Sequence, residues 1–385
     1  MRKKIWSVAL AALLVTLVVT PARAAAGLTR VTGFGSNPGA LNMYSYVPSG
    51  LPSGAPLVVA LHGCTQSASD YYGHSGWPKY ADLYHLALVF PEQTTANNSL
   101  SCFNWFAAAD IGRGGGEALS VKQMVDYAVA HYGSDPHRVY VTGLSAGGAM
   151  TAVMLAAYPD VFAGGGVVAG LPYNCGTVCQ YQAQNRTPAR WGDLVRAANP
   201  GYGGPWPRVA IWYGTSDTTV VPANATELRD QWTNVLGVSP SPTGTTSLPG
   251  GTTRETYGNV VELDRVNGIA HGTPVDPGSA ETQCGTTGTY YLQSICSSYY
   301  LAQFWGLTTT TPTTPPTSSP TPSPTGGPCF TTSNYAHTVA GRAHQSGGYA
   351  YANGSNQAMG LWNVAVTHTL RQTGDNYYVL ADGQC

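Results

Sequence analysis

The chain has 385 residues, and only 10% of them are charged, against roughly 25% in an ordinary soluble domain. Its 18 basic and 19 acidic residues give a formal net charge of −1. There is no basic run, which argues against nucleic acid as a partner. Gly, Thr, Ser, Asn and Tyr take the place of charges, a composition suited to contact with neutral polymers.

The first residues read as an export signal. Arg2, Lys3 and Lys4 precede a short apolar run over 8–19, and Ala22, Ala24 and Ala26 offer a small-residue cleavage site. The apolar run is too short for a comfortable membrane span. We place a signal peptide at 1–24, with cleavage after Ala24 or Ala26. Its loss removes four bases and no acid, so the formal charge moves from −1 to −5. The expected mature chain is secreted and extracellular, has no membrane partner and is a monomer.

Eight cysteines in an exported chain predict disulfides. No Cys-x-x-Cys pair exists and no His stands at ligand spacing, so a metal site is not expected. Proximity in sequence suggests Cys175 with Cys179 and Cys284 with Cys296.

Four continuous apolar runs, 56–61, 86–90, 138–142 and 208–213, look like strands buried on both faces. Residues 117–132 between them have helical spacing, with Met124, Val125, Ala128 and Val129 on one side. Such alternation predicts an α/β architecture, a mostly parallel sheet with helices on both faces.

The third run ends in Gly143-Leu144-Ser145-Ala146-Gly147, a G-x-S-x-G, and a helix is expected over 148–157. In that context Ser145 sits on a tight strand-to-helix turn, and the glycines let the two elements approach. Ser145 is therefore the expected nucleophile. An acid and then a histidine should follow in the chain. Asp217, just past the fourth strand, fits the acid. Asp230 is expected on a solvated helix face, Asp264 lies within an alternating strand at 260–266, and Asp276 comes after the histidine. His271, in a Gly-flanked loop, fits the base. His74, His85, His131 and His137 precede the nucleophile and are read as surface or packing residues. An oxyanion would rest on the N–H groups of Ala146 and Cys64, the latter in the loop after the first strand. Cys102 is the expected disulfide partner of Cys64.

Residues 308–328 are almost wholly Thr, Pro and Ser. They predict a semi-rigid spacer, with a reach on the order of 60 Å at about 3.1 Å per residue. It separates a large domain at 25–307 from a small module at 329–385. The module's cysteines are its first and last residues, Cys329 and Cys385, so a closing disulfide is expected. It holds seven aromatics in 57 residues. Tyr335, Tyr349, Tyr351, Trp362, Tyr377 and Tyr378 are candidates for a polymer-binding face or for a small core.

Several segments together resemble the extracellular short-chain polyhydroxyalkanoate (PHB) depolymerases and the wider family of secreted esterases that includes feruloyl and acetyl xylan esterases. They are Leu61-His62-Gly63-Cys64-Thr65-Gln66, Phe90-Pro91-Glu92-Gln93, Cys102-Phe103-Asn104-Trp105-Phe106, Arg113-Gly114-Gly115-Gly116-Glu117-Ala118, 143–150 and 271–276. Segments of the small module, among them Ser333-Asn334-Tyr335-Ala336-His337 and Gly360-Leu361-Trp362-Asn363, resemble a depolymerase polymer-binding domain. The resemblance implies an α/β-hydrolase fold, no cofactor, and support for Ser145, Asp217, His271 and Cys64 in the roles given above. It implies hydrolysis of poly(3-hydroxybutyrate), an insoluble polyester. The alternatives are a feruloyl or acetyl xylan esterase acting on plant cell-wall polymer and, in another class, a non-catalytic polymer-binding protein. Trp105 and Phe106 would line the cleft or pack beneath it.

Overall fold

A computed structural model describes residues 27–308, 328–346, 348–353, 355, 357–374, 377–382 and 385. The expected export signal and nearly all of the expected spacer lie outside the described residues. The chain divides into two compact units, with the division between Thr310 and Thr311.

The first unit is built on a sheet of ten strands. In chain order these are β1 (Thr29–Val31), β2 (Asn42–Tyr46), β3 (Ala55–Leu61), β4 (Ala87–Glu92), β5 (Ser134–Leu144), β6 (Gly164–Val168), β7 (Arg208–Gly214), β8 (Gly244–Leu248), β9 (Thr252–Tyr257) and β10 (Val261–Val266). Their spatial order is β1-β2-β4-β3-β5-β6-β7-β10-β9-β8. The six central strands from β4 to β10 run parallel, and the two strands at each end run antiparallel. The four apolar runs became β3, β4, β5 and β7, all in the parallel part.

Helices cover both faces. They are α1 (Ala68–His74), α2 (Trp77–Tyr84), α3 (Gly116–Tyr132), α4 (Ala146–Ala157), α5 (Pro188–Ala198), α6 (Ala223–Val235) and α7 (Ser297–Phe304). Alternate residues of one strand feed opposite cores. Leu57, Val59 and Leu61 pack with Met124 of α3, Met150 of α4 and Trp232 of α6. Val58 and Ala60 pack with Tyr71 of α1, Trp77 of α2 and Leu301 of α7. Continuous apolar runs are required because each strand is apolar on both sides.

Two expectations shift. Helix α4 begins at Ala146 rather than at 148, because the glycines at 147 and 148 serve close packing and do not break the helix. Asp230 is half-buried and paired with Arg229 at 2.7 Å, so it is not a fully solvated side chain. Asp264 is fully buried and bound by Arg254 at 2.8 Å, its cross-strand partner on β9, so it is held in a structural pair.

After β10 the chain forms β11 (Thr273–Val275) and β12 (Tyr291–Gln293), a short parallel pair. Among its described residues the second unit has two three-stranded sheets, six strands over 329–380, and one helix, Asn334–Val339. Its core holds Ala343, Ala350, Ala352, Met359 and Leu370. So small a core needs a staple, and Cys329 is bonded to Cys385. The other disulfides join Cys64 to Cys102, Cys175 to Cys179 and Cys284 to Cys296.

Candidate active site

Ser145 occupies the one-residue junction between β5 and α4. Its backbone lies at φ 57° and ψ −116°, a region that costs an L residue about 1–3 kcal/mol and persists only where the surroundings enforce it. The enforcement comes from close contact. A Cβ on Gly147 would lie 2.4 Å from the Leu61 carbonyl oxygen and 2.5 Å from that of His62. A Cβ on Gly143 would lie 2.5 Å from the Gly147 backbone. Only glycine lets β3, β5 and α4 meet at this point. The Ser145 N–H donates to Val168 O at 2.9 Å, which ties the turn to the end of β6.

Asp217 and His271 come from loops that follow β7 and β10. Asp217 is 3% exposed, and its Oδ1 accepts from the backbone N–H groups of Thr219 and Val220, each at 2.9 Å. Its Oδ2 faces His271 Nδ1 at 2.7 Å. With Asp217 ionised, that contact puts the proton on Nδ1 and leaves Nε2 as an acceptor. His271 and Ser145 line one cleft of about 430 Å³. No hydrogen bond joins them among the described contacts; such contacts are often long in a site without substrate.

Two backbone donors stand free near Ser145. Ala146 is the first residue of α4, so its N–H has no intrahelical acceptor. The Cys64 N–H has no acceptor among the described contacts, although its neighbours do. Gly63 N donates to Gln66 Oε1 at 2.7 Å, and Thr65 N donates to Leu100 O at 2.6 Å. Pairing on both sides holds the Cys64 loop and leaves its own donor available to an anion.

Behind this loop lies a buried polar network. The His62 ring is fully buried. Its Nδ1 lies 2.7 Å from Gly63 O, and its Nε2 accepts from Gln93 N at 3.1 Å. Burial pushes its pKa down and keeps the imidazole neutral. The Gln93 amide donates to Cys102 O at 3.1 Å and to Glu117 Oε1 at 2.5 Å. Glu117 also accepts from Asn104 N at 2.8 Å and Asn104 Nδ2 at 2.7 Å. Burial pushes its carboxyl up to about 7, against the opposing pull of the Asn104 and Gln93 donors and with a further rise from Asp110. Segments of the sequence quoted above contain His62, Gln93 and Glu117, but an acid in the first turn of a helix is ordinary. Nothing in its spacing marked Glu117 as buried.

Among the described residues no Asp, Glu, Lys or Arg lines the cleft. Trp105 is 8% exposed and serves both core and cleft wall, while Phe106 meets it edge-on at 5.1 Å and is 43% exposed. Among the described residues, the first unit has six large exposed apolar side chains. Four of them, Leu100, Phe106, Tyr181 and Tyr290, line this cleft. Apolar exposure is thus concentrated at its mouth, where a binding face is expected. Sequence reasoning did not reach Leu100, Tyr181 or Tyr290. In the second unit Tyr335, Tyr349, Trp362 and Tyr377 are 39–48% exposed, whereas Tyr378 packs on the small core.

Cys175, Cys179 and Glu227 bring three possible ligand atoms together. The two cysteines are joined to each other, and Glu227 accepts from the N–H groups of Gln184 and Asn185 at 2.7 Å. With both sulfurs in a disulfide and Glu227 Oε1 taken by two N–H groups, only Glu227 Oε2 is left without a partner, and one carboxylate oxygen does not make an ion site. Among the described residues no helix is long and apolar enough to cross a membrane.

Residues 41–257 match the family model described as Esterase PHB depolymerase. The chain is 50% identical over 292 residues to poly(3-hydroxyalkanoate) depolymerase C of Paucimonas lemoignei, covering 73% of this chain and 70% of that one. It is 37% identical over 279 residues to feruloyl esterase B of Talaromyces stipitatus, covering 69% of this chain and 77% of that one. Among solved structures, an acetyl xylan esterase from Aspergillus awamori superposes with a TM-score of 0.63 at 28% identity, over 73% of this chain and 100% of that one. With these relatives and an α/β-hydrolase sheet, the chain belongs to the PHB depolymerase esterase family and is a carboxylic ester hydrolase.

Proposed function

We propose that this protein is a secreted depolymerase of poly(3-hydroxybutyrate) or a similar short-chain polyhydroxyalkanoate, with Ser145, Asp217 and His271 as its triad. The observation that carries the substrate is the uncharged cleft with four apolar side chains exposed at its mouth. A polyester strand has no charge and no hydroxyl-rich ring, and such a mouth suits it. The 50% identity to a depolymerase supports the same reading.

The chemistry runs in two halves. Ser145 Oγ attacks the ester carbonyl as His271 Nε2 takes its proton. Asp217 holds the imidazole in the required tautomer and stabilises the imidazolium. The oxyanion rests on the N–H groups of Ala146 and Cys64. The tetrahedral intermediate collapses, and His271 delivers its proton to the leaving alcohol. Water, deprotonated by His271, then attacks the acyl-enzyme and restores Ser145. No cofactor takes part.

Residues 329–385 act as a polymer-binding module, with Tyr335, Tyr349, Trp362 and Tyr377 available to an apolar surface. The module keeps the catalytic unit near solid substrate, which raises effective concentration without altering the chemistry. The second reading is an esterase of plant cell wall, supported by the 37% identity to a feruloyl esterase.

Turbidity of a PHB granule suspension separates these readings, with Ser145→Ala as control and feruloyl and acetyl xylan substrates in parallel. Clearing by the wild type alone is the expected result. Release of ferulate or acetate without clearing would move the substrate to the cell wall. Clearing by the Ser145→Ala protein would sink the assignment of the nucleophile.

A further inference from the structure

Tyr290 stands in a conformation that its own chemistry disfavours. Its φ is +64°, in the left-handed region that bulky side chains rarely adopt. The chain contains 47 glycines, and Gly285 and Gly288 lie close by, yet a tyrosine holds this position. Strain kept at a cleft wall points to function when the surroundings over-determine it.

They do so here. Tyr290 lies in the loop closed by the Cys284–Cys296 disulfide. Its carbonyl accepts from Thr273 N at 2.8 Å, where β11 leaves the His271 loop. Its neighbour Tyr291 is 2% exposed, stacks on His74 at 4.7 Å, and exchanges two backbone hydrogen bonds with Gly288. A Cβ on Gly272 would lie 2.8 Å from Tyr290 O, so the residue after His271 must be glycine for the two loops to meet. The forced backbone sets the Tyr290 ring edge-on to His271, with centroids 6.0 Å apart and planes at 76°. The ring lines the cleft and is 38% exposed. Its hydroxyl has no partner among the described contacts.

We propose that Tyr290 is a specificity-determining residue that packs against the alcohol portion of the bound ester. This rests on the assignment of Ser145 and His271 given above. The acyl carbon is held between Ser145 and the two N–H donors. The leaving oxygen must lie within reach of His271 Nε2, which returns the proton to it. A ring beside the imidazole on the open side of the cleft therefore meets what is attached to that oxygen. In a polyester this is the next hydroxyacyl unit, a short apolar segment ending in an acceptor carbonyl. An aromatic face with a free phenol matches it.

The test uses the full chain with Tyr290→Gly, Tyr290→Phe and Ser145→Ala. Two series of soluble esters are compared by kcat/KM. One keeps the butyryl group and lengthens the alcohol from methanol to the methyl ester of 3-hydroxybutyrate. The other keeps methanol and varies the acyl chain. Tyr290→Gly should lower the ratio of extended to simple alcohol about tenfold and leave the ratios within the acyl series unchanged. Its Tm should not fall, because glycine accepts this backbone freely. Tyr290→Phe should keep most of the alcohol preference. An unchanged alcohol ratio in Tyr290→Gly overturns the proposal, and so does a lower Tm with equal loss on every ester. Activity remaining in Ser145→Ala would instead count against the nucleophile, and it is read independently of both series.

Discussion

Glu117 offers the sharpest quantitative prediction. Its carboxylate is fully buried and surrounded by donors from Gln93 and Asn104, yet burial raises its pKa from 4.5 to about 7. In the unfolded chain it titrates near 4.5. Between these values the folded protein binds more protons than the unfolded one, so stability falls as pH rises. The contribution is fully present below about pH 4.5 and is lost as pH passes about 7. At 1.36 kcal/mol per pKa unit, the folded state loses about 3 kcal/mol over this window through Glu117. Glu117→Gln removes the titration. Urea unfolding at pH 4.5 and pH 8 should therefore show a pH-dependent loss of stability smaller by about 3 kcal/mol in the variant. Tryptophan fluorescence is the suitable probe, because seven of the nine tryptophans lie between residues 77 and 305. Equal pH dependence in the two proteins would refute the reasoning and would mean that the donors hold the carboxylate ionised throughout.

Two further outcomes follow from the same geometry. In Asp217→Asn, the amide oxygen is retained by the N–H groups of Thr219 and Val220, which turns the amide NH₂ toward His271 Nδ1. The imidazole proton then moves to Nε2, the wrong tautomer for a base, and kcat should fall on the order of 10⁴-fold with little change in Tm. A loss under tenfold, measured on a soluble ester, would overturn the proposed role of Asp217. Gly147→Ala places a methyl 2.4 Å from the Leu61 carbonyl. It should lower stability by about 1–3 kcal/mol and abolish phosphonate labelling of Ser145 in the fraction that remains folded. Labelling at the wild-type rate would show that the turn tolerates a side chain.

The sequence by itself determined the central strands and the strand-to-helix turn, and it supplied the proposed order of the site. Apolar runs at β3, β4, β5 and β7 are legible because a strand buried on both faces admits no other pattern. The turn at Gly143, Ser145 and Gly147 is legible because its close packing depends on local spacing, and Asp217 and His271 could be proposed because they follow strands in the expected order. The tertiary structure alone decided which side chains close the cleft. Leu100, Tyr181 and Tyr290 lie on loops with no periodicity, and their meeting depends on where β4, β6 and β10 end. It alone showed Glu117 buried among donors from two other segments, since an acid at a helix start is by default solvated. It alone revealed the strain at Tyr290, because φ at one residue is set by a disulfide, a strand pair and a buried neighbour, and composition records none of these.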